Sequence, residues 1–483
     1  MKKSYFTRIN LCCLLLLGSA QSALAVTERP PQIVEFAFDG SLTIPFWQKS
    51  RDFAKDVERV TGKPFHFTYF ISGVYFLTHA NKFHYVNPHT KVTASDIGFG
   101  GDANDLLARI AQVNASIADG DAIGSHANGH FDGSKWSFSD WNDEFNAFVS
   151  LLDNTYFTNK LLPTGNQPAQ MNIKGDTIKG FRAPYLGRDQ AMYDVLAAHH
   201  FRYDTSKTSA TSYWPQKSAG GVWNFPLGEV RIAGTAKKTL SMDYNFFYSQ
   251  SNAVPDPNPE HLKVFEKQMY DTYMQYFASN YNGNRAPVHI GHHFLMMNHG
   301  IYWQAMQEFA RTVCGVPEVK CINYDELANF MDGLTPATLT DYQRANFPKG
   351  PSYVLPADMP KPLEINFTVA EHEDHMHLSA SGADASQIAI DGTTVHWEVN
   401  GDPVGTESNR LAFTDIAPLM TNGSAVLSAV SSKDGKEILR VTHRIKADPN
   451  NSQKIMLDSE DLEGYPTKGD LSEAHEINPD DVQ

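Results

Sequence analysis

Cysteine is scarce in this chain, as are long apolar runs and positive charge. Of its four cysteines, Cys12 and Cys13 lie in the first 25 residues and only Cys314 and Cys321 lie beyond. That excludes a small disulfide scaffold. No stretch approaches the ~20 consecutive apolar residues that a membrane-spanning helix needs. Lys and Arg number 40 against 55 Asp and Glu, a formal charge of −15. So acidic a surface argues against nucleic acid and anionic membranes as partners.

The N-terminus reads as an export signal. Lys2, Lys3 and Arg8 form a basic head, "LCCLLLLG" is a short apolar core, and Ala23-Leu24-Ala25 is a small-residue cleavage site. Residues 1–25 are therefore expected to be removed by a cut after Ala25, leaving a secreted or periplasmic protein. No cysteine follows the site to carry a lipid. Losing the three basic residues takes the formal charge from −15 to −18. In an exported chain, Cys314 and Cys321 of "CGVPEVKC" are expected to form a structural disulfide. The remaining length is too great for one ordinary core and predicts two domains.

From residue 26 to 335, strand-like runs alternate with helical patterns, which predicts an α/β domain. "IVEFAF" precedes "PFWQKSRDFAKDVERVTG", where Pro45 suits a first helical turn and Gly62 a stop. "FHFTYFI" is the next strand. "DANDLLARIAQVNASIADG" places Leu106, Ile110, Val113 and Ile117 on one helical stripe, and Asn323 is suited to cap "YDELANFM". Residues 336–362 hold several prolines and little periodicity, and read as a semi-rigid linker. Over 363–447 the pattern turns to period two, with turn pairs Asn400-Gly401, Asn422-Gly423 and Asp434-Gly435. That predicts a small immunoglobulin-like β-sandwich. The acidic, weakly apolar tail 448–483 is expected to be disordered.

Several strand ends carry residues fit for chemistry. In "GSHANGH", His126 and His130 are four apart, so a tight turn brings both imidazoles to one metal ion. With 19 histidines such a pair arises about once by chance, and His289 and His293 form another. "RAPY" sets Arg182 three residues before Tyr185 across a proline, and the Tyr185 N–H is a candidate oxyanion donor. "APVHIGHH" ends a strand at His292 and His293, either of which is a candidate general acid. "IVEFAFDG" ends in Asp39, followed by Gly40.

Taken together, these motifs resemble the polysaccharide deacetylases of carbohydrate esterase family four, particularly their chitin-deacetylase-like branch, over Pro31 to Gly333. "IVEFAFDG" resembles the family's "TFDD" strand and "FTYFISG" its "TFFV" strand. "SHANGH" resembles its two-histidine metal motif, "FRAPY" its arginine-to-aromatic motif, and "HIGHHF" the site of its last histidine. "YDTSKTSATSYWPQ" resembles a segment in which an Asp precedes a Trp-Pro pair.

The resemblance implies a distorted (β/α) barrel and a metal-dependent N-deacetylase of an N-acetylated polysaccharide or oligosaccharide. It implies a divalent ion on His126 and His130, zinc first and cobalt or nickel next. Asp39 is implied as base or ligand, Arg182 as its orienting partner and Tyr185 as oxyanion donor. His292 is implied as acid, with Asp204 tuning the last histidine, and Tyr185, Asp204 and Trp214 as substrate contacts.

One departure stands out. The family pattern has two adjacent Asp residues, and this chain has Asp39-Gly40. Strand alternation favours Asp39 as the base and Gly40 as the lost ligand, because a one-residue slip would turn Phe36 and Phe38 to the other face. A shift by one makes Asp39 the ligand instead. Asp132 and Glu35 are candidate replacements. The competing expectations are a catalytically weakened glycan binder, and a surface-interaction role led by the sandwich with its "EHEDHMH" cluster.

Overall fold

The computed structural model describes residues 28–362, 366–372, 374–381, 394–404, 409–420, 423–433, 436–449 and 451–457. The expected signal and most of the tail lie outside these residues, as do Asn422 and Asp434-Gly435.

A curled sheet organises the first domain. In chain order its strands are β1 (Gln32–Asp39), β2 (Phe67–Ile71), β3 (Ala122–Ser125), β4 (Gly180–Phe181) and β5 (Tyr203–Asp204). After β6 (Thr208–Ala210) come β7 (Gln216–Lys217), β8 (Trp223–Asn224), β9 (Leu227–Arg231), β10 (Lys238–Leu240), β11 (Val288–His293) and β12 (Val319–Cys321). The large sheet runs β11-β1-β2-β3-β4-β5-β8-β7, with β12 also on β1. All its pairings are parallel except the edge pair of β7 and β8. Parallel strands need crossover helices that cover the outer face.

The sheet curls into a half-barrel open between β11 and β7, which is the distorted (β/α) barrel expected from the sequence. The three-stranded sheet β10-β9-β6 packs against β11, where Met242 bridges to Gly291 and Ser241 Oγ–H donates to the His289 carbonyl at 2.6 Å.

Alternation along β1 decides which side chains enter the curl. Val34, Phe36 and Phe38 pack outward with Phe46, Trp47 and Phe53 of helix α1 (Ile44–Thr61). Ile33 and Ala37 face inward with Phe70, Tyr203, Phe225 and Tyr324. Asp39 shares that inward face.

The local signals explain the helix ends. Pro45 stands in the first turn of α1, and Gly62 closes it in the left-handed conformation. Helix α2 (Ala103–Asp119) carries a capping box from Asp102 and Asp105. The helices α3 (Phe138–Asp153), α4 (Thr155–Asn159), α5 (Gln190–Ala198), α6 (Asp243–Ser251), α7 (Pro259–Asn282), α8 (Ile301–Val313) and α9 (Tyr324–Asp332) complete the layer. Asn323 caps α9 by accepting from the Glu326 N–H. Cys314 and Cys321 are joined in a disulfide with Cα atoms 5.7 Å apart. None of the described helices is long and apolar enough to cross a membrane.

Two boundaries need correction. The stretch 336–362 is not a free spacer. It opens with helix α10 (Pro336–Gln343), whose Tyr342 is buried. It then lies along the first domain, where Tyr353 N–H donates to Asn282 and Gly234 N–H donates to the Lys361 carbonyl. Buried apolar contacts outweigh the prolines there: Tyr353, Leu355 and Met359 pack on the main core. The tail also starts later than expected, because Asn451–Leu457 forms a strand.

The C-terminal strands are β13 (Asn366–Glu371), β14 (His375–Ser381), β15 (Thr394–Val399), β16 (Asp402–Val404), β17 (Arg410–Ala412), β18 (Ser424–Lys433), β19 (Lys436–Asp448) and β20 (Asn451–Leu457). They make two antiparallel sheets, β13-β14-β17 and β16-β15-β18-β19-β20. Val369, Met376 and Leu411 of one share a core with Trp397, Leu427 and Ile445 of the other. Asn400 and Gly401, with φ of 55° and 89°, form the turn between β15 and β16. Both central residues at positive φ fit the hairpin twist.

Candidate active site

The carboxyl ends of β1, β3, β4 and β11 meet at one mouth of the curl, where parallel α/β sheets place ligands. Asp39 is the last residue of β1 and is 5% exposed. The Arg182 Nη1 donates to Asp39 Oδ1 at 2.8 Å. Arg182 is fully buried, its Nε donates to Thr205 Oγ1 at 2.8 Å, and its guanidinium lies over the Phe70 ring at 4.6 Å. Burial works against its charge, but Asp39, with Tyr324 and Asp204, outweighs that and the net shift of its pKa is upward.

His126 follows β3, and its Nδ1 lies 2.8 Å from the Arg182 carbonyl. A carbonyl only accepts, so Nδ1 carries the hydrogen and Nε2 keeps its lone pair, the state a metal ligand requires. Burial lowers the His126 pKa, against the pull of Asp39. The His126 and His130 rings stand 5.1 Å apart, and the Tyr185 ring lies 4.8 Å from His130.

Four non-glycine residues here adopt left-handed φ: Ala127 (54°), His130 (59°), Tyr185 (56°) and Leu186 (53°). Each costs on the order of 1–2 kcal/mol, and such outliers gather at functional sites. Hydrogen bonds hold the histidine loop in this shape. Asn128 N–H donates to Glu144 Oε1 at 2.8 Å, Tyr85 Oη donates to Glu144 Oε2 at 2.9 Å, and Gly73 N–H donates to the Ala127 carbonyl at 3.0 Å. Burial pushes the Glu144 carboxyl up to about 7 despite its bonds to Asn128.

On β11, alternation separates the two terminal histidines. His293 is the register partner of Asp39 and faces the mouth with about a quarter of its side chain exposed. Asp243, at the start of α6, accepts from His293 twice, from Nδ1 at 2.8 Å and from the backbone N–H at 2.9 Å. Burial lowers the affinity of His293 for a proton, but Asp243 and Asp39 outweigh it and the net shift is upward.

His292 points the other way, with its ring near Phe38 and its Nε2 3.4 Å from the Tyr273 hydroxyl. Burial takes its pKa down to about 4. Of the two candidate acids, His293 is therefore the one that faces the mouth.

Two more expectations shift. Asp204 is buried and receives Ser206 Oγ–H at 2.5 Å, while Ser206 Oγ accepts the Ala183 N–H. It supports the Arg182–Tyr185 turn rather than the last histidine, a role Asp243 fills. The sequence hides Asp243 because it follows a strand of only three residues, "KTL", with no periodicity to mark it. Trp214 is 1% exposed, packs on Tyr342 and donates Nε1–H to the Asn284 carbonyl. It is core, and it offers no face to a sugar.

The residues meet the implied metal only in part. Two imidazoles converge, one in the ligand tautomer. Yet among the described residues no three His, Cys, Asp or Glu groups are placed to hold one ion. Asp39 is engaged by Arg182, Asp132 accepts from the Ser134 N–H at 2.9 Å, and Glu35 is buried deep on β1. Gly40 has a φ of 76° and open space around a would-be Cβ. A three-ligand set is therefore not met.

No family model and no curated protein matches the chain. Solved structures with a similar fold include a family 4 carbohydrate esterase from Streptomyces lividans in complex with acetate, at 11% identity and TM-score 0.31. That likeness covers 60% of this chain and 90% of that one. The chitin deacetylase of Colletotrichum lindemuthianum is 13% identical with TM-score 0.31, covering 59% and 84%. A family pseudoenzyme from Bacillus anthracis is 8% identical with TM-score 0.32, covering 62% and 66%.

Proposed function

We propose that the protein is an exported hydrolase that removes N-acetyl groups from a glycan, with Asp39 as base and His293 as acid. The observation that carries this reading is the opposition of these two groups. They end adjacent parallel strands as register partners, which stand about 4.8 Å apart. Each has its own buried partner of the right sign, Arg182 for Asp39 and Asp243 for His293.

Arg182 orients Asp39 through the hydrogen bond to its Oδ1, so the carboxylate can take a proton from an attacking water. Asp243 favours protonated His293, which can give its proton to the departing amine. The same two partners fix both side chains in place. The backbone N–H of Tyr185, in its left-handed turn beside His130, is the oxyanion donor of this reading. A divalent ion held by His126 and His130, zinc first, would polarise the acyl oxygen and acidify a water. The glycan, the chitin-like chemistry and the export are proposed from the sequence motifs.

Gly40 and the missing third donor favour one further reading, a weakened relative that binds glycan in the same cleft. Acetate release from a panel of acetylated glycans, with and without added zinc, cobalt or nickel, separates the two. Release that depends on Asp39 and His293 supports the hydrolase. Glycan binding without any release, at every metal tested, would leave only the weakened binder.

A further inference from the structure

Strands β1 and β11 set a carboxylate opposite an imidazole twice. Asp39 faces His293 at the mouth, and Glu35 faces His289 four residues deeper. The lower pair is enclosed, with Glu35 0% and His289 1% exposed. His289 Nδ1 lies 3.4 Å from Glu35 Oε2, yet neither carboxyl oxygen and neither ring nitrogen makes a hydrogen bond. Buried polar groups are nearly always bonded, so these four atoms need an explanation. An ion pair here would need hydrogen bonds to offset the desolvation of two charges. Without those bonds the burial favours an uncharged couple, a carboxylic acid beside a neutral imidazole. Burial, then Glu326, raises Glu35 well above the carboxylate range, and burial, then Arg182, takes His289 down to about 3.

Between the two levels lie Ala37 and Gly291, themselves register partners. A Cβ on Gly291 would stand 2.8 Å from Met242 Cε, 3.1 Å from Leu227 Cδ2 and 3.3 Å from Arg182 Nη1, so the guanidinium is one of three groups packed into the room Gly291 leaves. Above, it meets Asp39. Below, the Tyr324 ring stacks on His289 at 5.7 Å and 14°, and the Tyr324 hydroxyl is 3.5 Å from Arg182 Nη2. Tyr276 adds a contact from α7, its hydroxyl accepting the His289 N–H at 3.3 Å. Tyr203 faces the same interior from β5.

We infer that Glu35 and His289 are positioning residues for the base: an uncharged floor that keeps Arg182 raised against Asp39 and offers it no rival carboxylate. If Glu35 were ionised, Arg182 would be shared between two levels, and its hold on Asp39 would weaken.

Three measurements on the full chain test this. Infrared difference spectra of wild type against Glu35→Gln at pH 7 should show the C=O stretch of a protonated carboxylic acid. Finding only ionised-carboxylate bands overturns the inference. In nitrogen-15 spectra, the Arg182 Nε–H should be slow to exchange in wild type and Glu35→Gln, and lost to exchange in Glu35→Ala. An unchanged Arg182 signal in Glu35→Ala also overturns it. The kinetic measurement rests on the deacetylase reading: Glu35→Ala should lower kcat roughly tenfold with KM unchanged, and Glu35→Gln should recover most of it. An equal loss in both variants overturns the positioning role. If no variant and no wild type releases acetate, the function proposed above fails, while the two spectroscopic measurements still decide this one. Should Glu35→Ala not fold, the infrared comparison stands without it.

Discussion

Two histidine pairs in this chain share one spacing and meet opposite fates. His126 and His130 sit on a loop with left-handed residues, which folds their rings to within 5.1 Å. His289 and His293 sit on β11, where four residues of extended chain span about 13 Å. Both of the latter point inward, but one lies in the core and the other at the mouth. Spacing alone therefore says little. The backbone under it decides whether two imidazoles converge or divide between the core and the mouth.

The sharpest way to break the comparison is to remove the groups at the mouth. Asp39→Asn or His126→Ala is expected to lower acetate release by about 10²–10⁴-fold, and Asp39→Asn should also lower the unfolding temperature because it leaves the buried Arg182 without its carboxylate. Activity within tenfold of wild type in either variant would sink the mechanism.

Asp243→Asn comes next, with kcat down roughly 10–100-fold. It also carries a pH signature. In the proposed mechanism His293 must be protonated, so activity should fall as pH rises through the His293 pKa, which Asp243 holds above the ordinary range. Without that carboxylate the lowering effect of burial dominates, and the alkaline limb should move to lower pH. His292→Gln should leave the limb where it is. A limb that follows His292 instead of His293 reverses the assignment between them.

A smaller effect is expected at Gly40. Space around its Cβ is open, so Gly40→Asp adds a carboxylate for about 1–2 kcal/mol of left-handed backbone strain. Zinc affinity, read by competition with a chelating dye, should tighten roughly tenfold. Equal affinity in the two forms would mean that position 40 does not face the ion.

The strands that hold the mouth are legible in the sequence because each is a clean apolar run ending in a polar residue. β1 shows both its inward and its outward face in "IVEFAFD", and Asn323 and Gly62 mark helix ends by known capping chemistry. The pairing of Asp243 with His293 is not legible, because it joins a strand end to a residue 50 positions away across a short, irregular sheet. Nor does composition reveal that the proline-rich stretch is strapped down: prolines set the backbone, but Tyr342 and Tyr353 decide where it lies. Glu35 reads as a polar residue in a strand, and only the register with His289 shows that it is one half of a buried couple.

Trp214 teaches the same lesson with the smallest expected effect. A Trp-Pro pair after a strand suggests a sugar platform, yet its ring is packed on Tyr342 and its N–H is spent on the Asn284 carbonyl. Trp214→Phe keeps most of the packing and deletes that hydrogen bond. It should therefore cost about 1 kcal/mol of stability in urea unfolding and leave KM for the glycan unchanged within roughly twofold, a shift of less than about 0.4 kcal/mol. A larger rise in KM without loss of stability would return Trp214 to the substrate cleft. The backbone there would then have to open on binding, and the division between core and mouth would be less sharp than the two histidine pairs suggest.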